Sequence, residues 1–134
     1  MYVAEAIVER REAKRPTVLL VEDEPISRLD LASELRGARY EVIEASNADE
    51  ALSVLQSSPV DLMISDVVMP GSMDGMALAA RARKVNSGMK IIMISGQFSQ
   101  AQAQNVADGY FAKPYGCTPV LKTCRQLLSQ RTGG

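Results

Sequence analysis

The chain of 134 residues contains no histidine and no tryptophan, two cysteines and 4% aromatic residues. Without histidine no Ser–His or Cys–His pair can form, and imidazole-rich zinc sites are excluded. The chain also cannot phosphorylate itself through a histidine, so a phosphoryl group arriving by that route comes from another molecule. Cys117 and Cys124 are seven residues apart, a helical spacing, and no CxxC occurs. Reduced structural thiols in a cytosolic protein are the expectation, rather than a disulfide or a metal site. No apolar run approaches the ~20 residues of a membrane span. The opening segment MYVAEAIVERREAKRP lacks the basic-then-apolar order of a secretory signal. Neither sign of charge dominates, with 15 Lys and Arg against 16 Asp and Glu. These features predict a cytoplasmic chain that neither binds nucleic acid through a positive field nor inserts into a membrane.

What is present reads as alternating strands and helices. TVLLV (17–21) is a short continuous apolar run, suited to a strand covered on both faces. Pro25 opens a helix with Ile26, Leu29, Leu31, Ala32 and Leu35 on a broad apolar side, and Gly37 can end it. YEVIEA (40–45) alternates like a more exposed strand. Asn47 and Glu50 resemble a capping box, followed by Ala48, Ala51, Leu52 and Leu55 at helical spacing. VDLMIS (60–65) is a third strand, and residues 75–85 form a helix ending in Arg81, Arg83 and Lys84. KIIMIS (90–95) is a fourth strand, SQAQAQNVA (99–107) a weak helix and YFA (110–112) a fifth strand. Thr118 and Pro119 begin a last helix with Val120, Leu121, Cys124 and Leu128 inward. Five such units predict an α/β fold, an open parallel sheet with helices on both faces.

In such sheets, sites form beyond the carboxyl ends of the strands. The first strand delivers Glu22, Asp23 and Glu24 there, the third Asp66, the fourth Ser95 followed by Gly96, and the fifth Lys113. Taken singly, each is also an ordinary strand-end or surface residue; their common register sets them apart. Clustered carboxylates repel unless a cation is present, and an all-oxygen donor set suits Mg²⁺. Asp66 can then act as a nucleophile and take a phosphoryl group as an acyl phosphate. Lys113 and the Ser95 hydroxyl would hold its oxygens, and Gly96 keeps the approach open.

The segments VLLVEDE, DLMISDVVMPGSMDG, IIMISG and YFAKPY, in this order, resemble the receiver domain of bacterial two-component response regulators. The resemblance covers about residues 16–131, leaving 1–15 as an N-terminal extension and 132–134 as a tail. It implies a doubly wound sheet of order 2-1-3-4-5. It implies Asp66 as the phosphoacceptor, with Glu22, Asp23, Asp66 and the backbone carbonyl of Val68 holding Mg²⁺, for which Mn²⁺ can substitute. Ser95 and Lys113 would sense the phosphoryl group, Ser95 and Tyr110 would form the switch, and Val68 and Gln97 would tune how fast the group is lost. Lys113–Pro114 would be a cis bond. The donor would be a histidine kinase or histidine-phosphotransfer protein, and the signal would leave through the face of residues 99–131, with a phosphorylation-dependent homodimer among the possible outputs. MPGSMDG is one residue longer than the commonest form of this loop. Two other readings stand beside this one. A metal-dependent phosphohydrolase would place its nucleophile after the first strand with a second Asp two residues on, which VEDE does not. A degenerate receiver, acting only as an interaction module, would lack the acceptor or the lysine, and both are present.

Overall fold

The computed structural model describes residues 15–71, 73–96 and 106–132. The expectations for the N-terminal extension, Gln97 and most of a helix over 99–107 lie outside these residues. Five strands alternate with helices: β1 (Thr17–Val21), α1 (Pro25–Gly37), β2 (Glu41–Ala45), α2 (Ala48–Ser57), β3 (Leu62–Asp66), α3 (Gly75–Val85), β4 (Lys90–Ser95), β5 (Gly109–Ala112) and α4 (Cys117–Thr132). All pairings are parallel, in the order β2-β1-β3-β4-β5. This is the doubly wound α/β sheet expected from the sequence.

β1, β3 and β4 are mostly apolar because both of their faces are covered. Leu19, Val21, Met63, Ile91 and Met93 pack against α2 and α3 through Ala51, Leu55, Leu78 and Ala82. Val18, Leu20, Leu62, Ile64, Ile92 and Ile94 pack against α1 and α4 through Leu31, Leu35, Val120, Cys124 and Leu128. β3 is buried at every position and β2 at one, which places β3 at the centre and leaves β2 at an edge.

The starts of α1, α2 and α3 are each fixed by a capping side chain. Glu24 accepts from the amides of Ile26 and Ser27 at 3.2 and 2.8 Å and caps α1. Asn47 caps α2 through the amide of Glu50 at 2.8 Å. The Glu50 carboxylate reaches back to Ser46, one residue short of a reciprocal box. Asp74 caps α3 through the amide of Ala77 at 2.9 Å.

Three local expectations are revised. Ile26 and Leu29 are 76% and 57% exposed; Leu29 lies about 200° round the helix from Leu31, so the buried stripe is narrower than the apolar one. α1 ends at Gly37 as expected, and the left-handed residue beyond it is Arg39 at φ 74°. β3 begins at Leu62 and includes Asp66. The last helix begins at Cys117, one residue earlier than Thr118.

Candidate functional site: an acidic cleft at the carboxyl rim

The strand ends bring Glu22, Asp23, Asp66, Ser95 and Lys113 to one cleft of ≈ 330 Å³, also lined by Glu24, Val68 and Gly96. Asp66 is the last residue of the central strand, in register with Ile94, and is 7% exposed. Its two carboxylate oxygens have different partners. Lys113 Nζ donates to Oδ2 at 2.5 Å, and the Val68 amide donates to Oδ1 at 3.3 Å. The same ammonium lies 3.5 Å from Glu22 Oε1. Lys113 is therefore shared between two buried carboxylates that come from strands far apart in sequence.

Glu22 is 6% exposed and is held through its main chain. Its amide donates to the carbonyl of Ala45 at 3.0 Å, and Arg28 Nη1 donates to its own carbonyl at 2.9 Å. Arg28 is anchored in turn by Glu44 at 3.2 Å. Burial raises the Glu22 pKa above the usual carboxylate value, and the charge of Asp66 adds to the shift against the pull of Lys113. Burial lowers the Lys113 ammonium's pKa, but the hydrogen bond and charge of Asp66, with the charge of Glu22, outweigh it and hold the pKa above the ordinary lysine value. Lys113 is thus a fixed cation at neutral pH.

One carboxylate oxygen each from Glu22, Asp23 and Asp66 lies within 4.8 Å of the other two. Two of these residues are buried and Asp23 is exposed. Three hard oxygen donors around a space open to water on one side fit a partly hydrated Mg²⁺. Glu24, the third acid at the β1 tip, is committed to capping α1.

Ser95 is 1% exposed at the end of β4. Gly96 follows it, and a Cβ there would meet Lys113 Cβ at 3.7 Å, so this glycine is not demanded by steric contact. Val68 is 64% exposed on the rim. Tyr110 is half-buried on β5 and packs against the α2–α3 side of the core. Lys113–Pro114 is cis.

Sequence reasoning missed Ser65 and Gly75. Ser65 Oγ donates to the carbonyl of Asp66 at 2.9 Å and is fully buried. A Cβ built on Gly75 would lie 2.0 Å from that same carbonyl oxygen. A serine inside an apolar strand and a glycine opening a helix were the available signals.

The family model described as Response regulator receiver domain matches residues 18–125. The sensor kinase CckA of Brucella abortus is 37% identical over 121 residues, which are 86% of this chain and 13% of that protein. The chain spans 48% and 52% of two other curated relatives, both transcriptional regulators. Among solved structures, a CheY-like receiver domain from Methanospirillum hungatei superposes with a TM-score of 0.85 at 27% identity, covering 90% of this chain and 98% of that one. The response regulator TrrA of Thermotoga maritima, solved in complex with Mg²⁺ and BeF, gives 0.76 at 32% identity, covering 84% and 98%. The match spans the four rim segments that build the cleft, and on that ground the chain belongs to the response regulator receiver domain family.

Proposed function

We propose that Asp66 accepts a phosphoryl group from a phosphohistidine on a histidine kinase or histidine-phosphotransfer protein, in a Mg²⁺-dependent transfer. The observation that carries this reading is Lys113 Nζ at 2.5 Å from Asp66 Oδ2, inside a cluster that also offers Glu22 and Asp23. An Asp66 oxygen attacks phosphorus, the P–N bond breaks, and the imidazole leaves as the acyl phosphate forms. Glu22, Asp23, Asp66 and the Val68 carbonyl are the groups that would hold Mg²⁺, which neutralises charge on the transferring oxygens when bound. Lys113, already cationic, moves from pairing Asp66 and Glu22 to pairing the new phosphoryl oxygens. The Ser95 hydroxyl supplies a further hydrogen bond at the end of the neighbouring strand. Val68 is apolar and cannot orient a water for hydrolysis, which favours a long-lived phosphoryl group. With Gln97 it forms the pair that would tune the rate of loss.

The product is a signal, since one group is gained per transfer and no substrate is turned over. Tyr110 would respond to Ser95, and the surface of residues 99–131 would carry the change to a protein target. Mn²⁺ would support the same transfer. Among the described residues no helix is long and apolar enough to cross a membrane, and both cysteines are free thiols, which supports a cytoplasmic location.

The test is intact mass after incubation with phosphoramidate and Mg²⁺. A single phosphoryl adduct is expected in the parent. Undiminished phosphorylation in Asp66→Asn, or in excess EDTA, refutes the assignment.

A further inference from the structure

The acceptor's main chain has two contacts that its chemistry does not explain. Ser65 is a polar residue on the central strand, fully buried on the face shared with Val21 and Met93. Its hydroxyl donates to the carbonyl oxygen of Asp66 at 2.9 Å. The first residue of α3, Gly75, closes on the same peptide from another direction. A Cβ there would lie 2.0 Å from Asp66 O and 2.9 Å from both Asp66 C and Val67 Cα. The Gly75 amide donates to the carbonyl of Val67 at 2.7 Å. The helix start is therefore seated directly on the peptide that follows the acceptor.

We propose that Ser65 and Gly75 are positioning residues for Asp66, fixing its carbonyl so that its carboxylate meets Lys113 and the oxygens of Glu22 and Asp23. The proposal rests on the reading of Asp66 as acceptor. Aspartate has two side-chain torsions, so a backbone displacement passes to its carboxylate almost undiminished. Lys113 is long and partly exposed and could follow such a movement, whereas Glu22 is held through its own main chain by Ala45 and Arg28. The alignment is therefore lost mainly between Asp66 and the acids of β1.

The size of the effect follows from the contact. Relieving a 2.0 Å approach to ordinary van der Waals distance requires a separation of about 1 Å or more, and misplacement on that scale costs on the order of 100-fold in rate. Removing the Ser65 hydroxyl takes away one hydrogen bond and moves nothing by force, so the expected loss is about fivefold.

The experiment compares Gly75→Ala, Ser65→Ala and Gly37→Ala, the last a control because nothing lies within 4 Å of a Cβ at Gly37. Urea titration first identifies conditions in which each variant is fully folded. Two quantities are then measured: the phosphorylation rate with phosphoramidate at saturating Mg²⁺, and the affinity for Mg²⁺ alone from amide resonances of Glu22 and Asp23. Gly75→Ala is expected to be about 100-fold slower and Ser65→Ala about fivefold slower, both with weaker Mg²⁺ binding, while Gly37→Ala matches the parent. A folded Gly75→Ala with parental rate and parental Mg²⁺ affinity overturns the proposal. If Gly75→Ala does not fold, Ser65→Ala decides, and a parental rate and affinity there overturn it. Asp66→Asn is run alongside. Its continued phosphorylation refutes the acceptor reading, whereas its silence beside unaffected Ser65 and Gly75 variants refutes this inference alone.

Discussion

Replacing Lys113 with methionine tests the electrostatics of the cleft without inserting a foreign charge. In the parent, one ammonium lies 2.5 Å from Asp66 and 3.5 Å from Glu22, and both carboxylates are 8% exposed at the side chain. At an effective dielectric near 20, each attraction is worth about 5–7 kcal/mol before desolvation is subtracted. Desolvation cancels most of it, and the lysine side chain is 36% exposed, so the net loss falls between those of surface and buried pairs, about 1–3 kcal/mol. For a domain of this length that lowers Tm by roughly 3–12 °C. The deficit should depend on Mg²⁺. With the internal cation gone, the metal meets less competition at the acids, and its preferential binding to the folded state stabilises the variant more than the parent. Thermal unfolding followed by circular dichroism, in EDTA and in Mg²⁺, reads both effects. A variant as stable as the parent in EDTA, or one whose deficit is the same in both solutions, refutes the account of Lys113 as the counter-ion of Asp66 and Glu22.

Two further outcomes follow from side chains remote from the cleft. Burial pushes the Cys124 thiol up to about 12 from 9.0, so the folded state keeps its proton where the unfolded state loses it. Its contribution is complete below about pH 9 and disappears as pH rises toward 12, up to about 4 kcal/mol in all; Cys124→Ala should flatten the fall of unfolding free energy between about pH 9 and 11, and equal slopes would show that the thiol is not the group responsible. Arg83 reaches the carbonyls of Met89 and Val106 and the carboxylate of Asp108 at 2.7, 3.4 and 2.6 Å, and lysine has no fork to span them. Arg83→Lys should therefore cost about 1–2 kcal/mol in urea unfolding, and a parental midpoint would sink that reading.

The parts of the molecule that were legible in the sequence are those written in short apolar runs and in strand-end polarity. β1, β3 and β4 carry short runs of Val, Leu, Ile and Met because each is covered on both faces. Once the alternation implied a parallel sheet, the rim positions of Glu22, Asp23, Asp66, Ser95 and Lys113 followed from topology, and the cleft contains all five. Other features depend on how elements meet. Periodicity gives α1 an apolar side, but which part of it is covered depends on where α4 lies, so Leu29 reads as inward and is exposed. The end of α1 at Gly37 is legible from propensity, but the left-handed turn that follows falls on Arg39, which has no such signal. The local signal at Gly75, a glycine opening a helix, does not say what it must clear. Its requirement comes from a backbone more than eight residues away in sequence, and only the packed structure brings the two together.

The burial of β3 at all five of its positions, between β1 and β4, has a mechanical consequence. A strand clamped on both edges and both faces is a stiff support, because densely packed interiors yield little under load. Bulk and charge added at its tip meet an unyielding base. Movement would pass instead to the end of β5, a strand paired along one edge, and to the long arm of Lys113. On the reading of Asp66 as acceptor, this asymmetry would turn a chemical event at Asp66 into displacement of Lys113 and the end of β5 rather than of β3.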